Sequence, residues 1–260
     1  MTITFAPTRR DVLKIAGATL AISNAAGRAA LAQAEAGGSK VKAIGFDAFT
    51  IFDPRSIEAA VEDIFPGKGK ELAAGWRTRL FEYTWLRTLN RTYADFRQVS
   101  DDALKFVFKA AKIELKPNVR ETLLNAFAHL KPYPDSVQAL KAMRQAGIRL
   151  AYVSDLTPEL LKTMTANAGA TDLFEHFLST DAVQAFKPDP RAYQMAEMAF
   201  GLPRETIVFA AFGGWDAAGA KSFGLRTFWV NRFNAPLEEL GVQPDASGET
   251  LVELANYVMA

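Results

Sequence analysis

Short apolar runs separated by stretches of helical periodicity constrain this chain more than any other feature. Val41–Phe46, Ile148–Val153, Ile207–Phe212 and Leu225–Val230 are such runs, and Phe177–Ser179 is a weaker one. Runs that are apolar throughout, rather than alternating, belong to strands buried on both faces, as in parallel sheets. Between them Leu160, Leu161, Met164 and Ala168 share one helical face, and Tyr193, Ala196 and Phe200 share another. Strands alternating with helices predict an α/β fold, a doubly wound, Rossmann-like parallel sheet with right-handed crossovers.

One long interruption breaks the alternation. From Pro54 to Pro134 there is no clear strand but four apolar stripes at helical spacing. These are Ile57–Phe65, Leu72–Tyr83, Ala103–Ala111 and Val119–Leu130. Four helices inserted after the first strand predict a helical cap over the carboxyl edge of the sheet. Lys131-Pro-Tyr-Pro134 marks the return to the core. The expected division is a core of residues 40–54 and 134–260 and a cap of residues 55–133. Asp101-Asp102, following Ser100, is expected to cap a helix.

The first 34 residues read as an address. Thr8-Arg-Arg-Asp-Val-Leu-Lys14 precedes a mildly apolar stretch to about Ala26, then small-x-small sites at Ala30–Ala32 and Ala32–Ala34. That order is a signal peptide's, too short and weakly apolar for a stable membrane span. The paired arginines resemble a twin-arginine export signal, which implies a periplasmic protein with residues 1–34 removed. The leader holds four basic residues and one acid, so the remainder has 26 basic and 28 acidic residues and a net charge of −2. A chain so near neutrality offers no general attraction to nucleic acid. The absence of cysteine excludes disulfides, thiolate metal sites and a cysteine nucleophile.

In open parallel sheets ligands bind at the carboxyl ends of the strands. The polar residues there are Asp47, then Ser154-Asp155, then Asp216 after Gly213-Gly214-Trp215, with Lys187 in the loop after the weak strand. Three carboxylates, a hydroxyl and an ammonium are thus expected to converge on one cleft. A carboxylate at a strand end beside an ammonium is a candidate covalent nucleophile. Asp47 and Asp155 taken singly also suit plain turn or helix caps. No Ser/His/Asp triad or phosphate loop is visible. His129 and His176 lack ligand spacing, and the stripe Trp76, Tyr83, Trp85 reads as core or dimer contact.

Phe46-Asp-Ala-Phe-Thr-Ile-Phe-Asp53 resembles the first motif of the haloacid dehalogenase superfamily, Asp-x-Tyr-Gly-Thr-Leu-Phe in the type II 2-haloacid dehalogenases. Phe65–Lys70, Trp76–Arg87 and Tyr93-Ala-Asp-Phe96 are similar to that branch's cap. Tyr133-Pro134, Val153-Ser154, Lys187-Pro188 with Tyr193, and Trp215–Ala220 follow in the family's order, so the resemblance spans about Val41 to Phe233. It implies that Asp47 displaces halide from a 2-haloacid to form an aspartyl ester. Arg77 and Phe96 would cradle the halide. Thr50 and Ser154 would hold the substrate carboxylate or Asp47. Lys187, with Tyr193 beside it, would keep Asp47 ionised, and Asp216 would orient the hydrolytic water. Phe49 and Trp215 would wall out bulk water. The resemblance further implies a homodimer with no metal and no cofactor.

The phosphatases of the superfamily carry a second Asp two residues after the nucleophile, as general acid. Phe49 occupies that place here and donates no proton, which disfavours phosphoryl transfer. Three departures from the dehalogenase pattern stand out. The glycine before Thr50 is missing, the Asn of Ser-Asn is Asp155, and Ser-Ser-Asn after the fourth strand is Ala211-Phe212-Gly213. They leave open a non-catalytic or substrate-shifted descendant that binds a small carboxylic acid.

Overall fold

The computed structural model describes residues 40–260, so the expected leader lies outside the described residues. Six parallel strands form one sheet: β1 (Ala43–Phe46), β2 (Arg149–Ser154), β3 (His176–Ser179), β4 (Ile207–Ala211), β5 (Arg226–Val230) and β6 (Ala246–Gly248). Their order is β3-β2-β1-β4-β5-β6. The first five follow the apolar runs of the sequence. β6 carries no such signal: it is the edge Ala-Ser-Gly, half-exposed, held by pairing with β5 rather than by burial.

Both faces of the sheet are covered. Alternate residues Ile44, Phe46, Leu150, Tyr152, Val208 and Phe228 pack on one face against α5 (Ser136–Gln145), α6 (Pro158–Asn167) and α9 (Leu251–Met259). Ala43, Val153, Ile207, Phe209 and Trp229 pack on the other against α7 (Pro190–Phe200) and α8 (Gly214–Phe223). This two-sided burial is why the strands are apolar without alternation.

Four helices stand between β1 and the return segment at Lys131–Pro134, as the stripes predict: α1 (Arg55–Ile64), α2 (Gly69–Asn90), α3 (Phe96–Ala110) and α4 (Pro117–Asn125). The Trp76 indole N–H donates to the Ser100 carbonyl at 2.8 Å and ties α2 to α3. The cap of α3 is Asp95, accepting from the Gln98 N–H at 2.8 Å, and not Asp101-Asp102. Those two acids lie inside α3, where Arg120 and Lys105 pair with Asp101 and Arg87 with Asp102. Ion pairing with the neighbouring helices, rather than capping, accounts for them.

The two crossings between sheet and cap run side by side. Phe52 and Pro132 form an antiparallel bridge, and Asp53 and Tyr133 donate to the carbonyls of Lys131 and Ile51 at 2.9 and 2.8 Å. Arg232, just past β5, clamps this hinge. It donates to the Thr50 carbonyl at 2.7 Å and to Asp135 at 2.8 Å, and its guanidinium lies 4.1 Å from the centre of the Tyr133 ring. Its side chain is 5% exposed, so the ion pair is largely dry. Breaking such a pair from one side leaves an uncompensated charge. Arg232→Met should cost about 3–5 kcal/mol, read as a lowered urea midpoint with an unchanged slope.

Candidate active site

The loop after β1 determines where Asp47 points. With no glycine before Thr50, the chain turns at once into a single 3₁₀ turn, Ala48–Thr50. No residue from 47 to 53 has a positive φ, so the turn needs none of glycine's conformational freedom. Side chains close it instead. Asp47 Oδ1 accepts from the Phe49 N–H at 2.7 Å, and the Thr50 hydroxyl donates to the Asp47 carbonyl at 2.7 Å. Asp47 is therefore a turn cap, as its position at a strand end allows. Its other oxygen receives the Lys187 ammonium, so the capping and the ion-paired readings hold together.

Lys187 is fully buried at the centre of the site. Its Nζ donates to Asp47 Oδ2 and, at 2.8 Å, to Asp216 Oδ2, and its backbone N–H donates to Asp155 Oδ1 at 3.0 Å. Asp216 stands in the first turn of α8, where the helix dipole favours an anion. The Tyr193 hydroxyl donates to its Oδ1 at 2.7 Å. Gly219 lets α8 come this close. A Cβ there would lie 2.5 Å from the Pro188 side chain and 2.6 Å from the Tyr193 hydroxyl.

Burial and mutual repulsion govern the charges. Burial opposes a charged Lys187, but the three surrounding carboxylates outweigh it and hold the ammonium protonated far above neutrality. Burial lifts Asp216 to about 6, against the pull of Lys187 and with the push of Asp47. Burial likewise lifts Asp155 to about 7, in spite of Lys187. Asp155 is thus a neutral acid in mildly acid solution and a carboxylate in alkali. It caps no helix: Thr157 does that for α6.

A cavity of about 360 Å³ opens above these groups, between sheet and cap. Asp47, Phe49, Ser154, Asp155 and Trp215 line it from the sheet side, and Arg77 and Phe96 from the cap. The remaining expected site residues, Thr50, Lys187, Tyr193 and Asp216, are buried beneath it. The Ser154 hydroxyl accepts from the Leu156 N–H at 3.2 Å. Arg77 makes no ion pair or hydrogen bond among the described residues, so its charge is available to the cavity. The acids converge on an ammonium, and no group of three or more His, Asp or Glu among the described residues is disposed to hold a metal ion.

Three aromatic wall residues, Phe81, Trp85 and Phe212, were not among the expected site residues. Phe81 and Trp85 follow Arg77 at successive i+4 steps on α2, so one helix face presents all three to the cavity. Their rings pack edge-on against Trp215 at 5.4 and 5.5 Å. The Trp85 indole N–H is buried and has no partner among the described residues, a free donor in the cavity wall. Trp85 is therefore cavity wall, while Trp76 is core. Phe212, in place of a hydroxyl, packs on Phe49 at 5.9 Å.

A family model described as haloacid dehalogenase-like hydrolase matches residues 18–224. This chain belongs to that family. It is 40% identical over 206 residues to an (S)-2-haloacid dehalogenase of Pseudomonas sp. (strain YL), covering 79% of this chain and 89% of that protein. It is 39% identical over 207 residues to the haloacetate dehalogenase H-2 of Moraxella sp. (strain B), covering 79% and 92%. Among solved structures it resembles the L-2-haloacid dehalogenase of Xanthobacter autotrophicus with chloropropionic acid covalently bound. The TM-score there is 0.78 at 32% identity, over 84% of this chain and 98% of that one. The six-stranded parallel sheet with its helical cap is the fold of these haloacid dehalogenase-like enzymes.

Asp155 offers a direct check on the site's electrostatics. Its folded-state pKa is raised, so the folded protein holds this proton more tightly than the unfolded chain. The stability it supplies is present in acid and is lost as the pH rises through about 7. Relative to the parent, Asp155→Asn should therefore gain roughly 2–3 kcal/mol between pH 5 and pH 8, measured by urea unfolding at the two pH values.

Proposed function

We propose that this protein hydrolyses short 2-haloalkanoic acids through an aspartyl ester on Asp47. The observation that carries this reading is the pairing of a buried, doubly anchored Asp47 with an unpaired cap arginine across one cavity. The Phe49 amide and the Lys187 ammonium anchor and aim the two oxygens of Asp47, and a largely dry carboxylate is a stronger nucleophile than a hydrated one. An Asp47 oxygen attacks the carbon bearing the halogen from the side opposite it. The carbon–halogen bond breaks, the halide takes the electron pair, and the configuration inverts. Arg77, with Phe96 beside it, receives the anion. Water then adds to the aspartyl carbonyl, and its proton passes to Asp216. The bond between carbonyl carbon and ester oxygen breaks, the departing oxygen takes the proton back from Asp216 to leave as a 2-hydroxy acid, and loss of one proton to solvent restores the Asp47 carboxylate. Asp155, as a neutral acid, adds a donor to the cavity, whereas its anion repels both halide and substrate.

The covalent chloropropionate of the Xanthobacter enzyme supports this chemistry by likeness. We take residues 55–133 as the cap and residues 40–54 with 134–260 as the core, a division supported by the paired crossings at Phe52 and Pro132. A homodimer is supported by apolar side chains left exposed on the cap: Leu86 (49%) and Leu89 (78%) on α2, and Phe106 (42%) on α3. Twin-arginine export to the periplasm is supported by the order of charged, apolar and small residues in the leader. No helix among the described residues is long and apolar enough to cross a membrane.

Bromide release from 2-bromopropionate, with Asp47→Asn as control, tests the reading. The parent should turn over, and the variant should fall by at least about a thousandfold, since it loses the nucleophile. In single-turnover hydrolysis in heavy-oxygen water, label should enter Asp47 first and reach the product only on later turnovers. A protein that merely binds small acids would release no halide while remaining folded. The pH profile supplies a second test. Asp216 must be ionised and Asp155 neutral, so activity should peak between about 6 and about 7. Asp155→Asn should remove the alkaline limb and leave the acid limb in place.

A further inference from the structure

A second cavity adjoins the first, and nothing in the hydrolysis of the shortest haloacids uses it. It measures about 110 Å³ and shares four wall residues with the catalytic cavity: Phe49, Arg77, Phe81 and Phe212. Its own walls are apolar, with Ile57 from α1, Ala73, Ala74 and Leu80 from α2, and Phe127 from the segment after α4. Phe212 is the hinge between the two spaces. Its ring packs on Phe49 at 5.9 Å and on Phe233 at 5.5 Å, so three aromatic rings run from the nucleophile's turn to the outer end of the crevice. Arg55 and Glu58 stand at that outer end, exposed to solvent.

We propose that this crevice is a subsite for the alkyl chain on C2 of the substrate, so that the protein prefers 2-haloacids with an unbranched chain of about four carbons there. This rests on the dehalogenase reading and gives its substrate class. Apart from Arg77, where it meets the catalytic cavity, and Arg55 and Glu58 at its outer end, the crevice wall is apolar, and an apolar chain leaving water for it gains with each methylene buried. Its size sets the length. An apolar cavity of about 150 Å³ takes up benzene, so a crevice of about 110 Å³ matches the smaller bulk of a butyl chain. Phe212 also accounts for the edited loop: where the family pattern has hydroxyls, this chain builds the apolar bridge that a hydrocarbon chain crosses.

The experiment compares bromide release from 2-bromopropionate, 2-bromohexanoate and 2-bromodecanoate. Each buried methylene is worth about fourfold, so kcat/KM should rise at least tenfold from the propionate to the hexanoate and fall again at the decanoate. Ala74 is exposed on α2, so a larger side chain there fills the crevice without entering the core. Ala74→Phe should cut the hexanoate-to-propionate ratio at least tenfold, and Phe233→Ala, which opens the outer end, should move the optimum to longer chains. A hexanoate no better than the propionate overturns the subsite. So does an Ala74→Phe variant that slows both substrates equally, because the crevice is then the route of entry. If no substrate releases bromide, the dehalogenase reading falls, and calorimetry with unreactive hexanoate and propionate decides the subsite. Tighter hexanoate binding, weakened by Ala74→Phe, sustains it, and equal affinities remove it.

Discussion

The buried ammonium of Lys187 is the interaction on which the rest of this site depends. Asp47 and Asp216 reach their positions from opposite sides of it, one from the end of β1 and one from the first turn of α8. Asp155 takes the backbone N–H of the same residue. Three carboxylates so close to one another and so little exposed are tolerated only because a cation lies at their centre. The cost of that arrangement is visible in the raised affinities of Asp155 and Asp216 for protons. Of the three acids, Asp216 is locked by two partners and Asp47 is anchored by an amide and the ammonium, so their orientations are set before any ligand arrives. That preorganisation is what a displacement at carbon requires.

The departures from the family pattern follow one physical theme. Where a glycine or a polar side chain is missing, another contact takes over the structural task and the cavity wall becomes apolar. The loop after β1 closes through the Asp47 and Thr50 side chains and through Arg232 on the Thr50 carbonyl, with ordinary backbone angles. The segment after β4 contributes Phe212 instead of a hydroxyl, and Gly213 leaves room for the Trp215 indole, which would lie 2.7 Å from a Cβ at that position. Phe49, Phe81, Trp85, Phe212 and Trp215 together give a cavity whose charged groups face a mostly aromatic surface.

Much of this was legible in the chain because local pattern reports burial. The apolar runs located β1 to β5, and the helical stripes located all four helices of the insertion, since each stripe is the face a helix must bury. The rule that chemistry sits at strand ends picked out Asp47, Ser154, Asp155 and Asp216. The same rule applies to Arg232, two residues past β5, which reading for carboxylates passed over. β6 left no trace, because an edge strand of small residues owes its conformation to its neighbour. Asp101 looked like a cap because Ser-Asp-Asp is a capping composition, but its partner Arg120 lies on another helix and no local pattern reveals it. The wall face of Arg77, Phe81 and Trp85 was present as i+4 spacing, yet spacing does not say whether an aromatic stripe faces a core or a cavity.

The sequence by itself determined the class of fold, the place of the insertion and the identity of the charged residues at the strand ends. Hydrophobic periodicity encodes which face of each element is hidden, and hidden faces suffice to name the elements. Only the tertiary structure decided which acids share the ammonium, which aromatic rings border empty space, and that a second crevice opens off the first. Lys187 and Asp47 are 140 residues apart, and they meet because the loop between β3 and α7 reaches the carboxyl end of β1 in the folded sheet. Distances of that kind belong to strand order and packing, which no single stretch of sequence records.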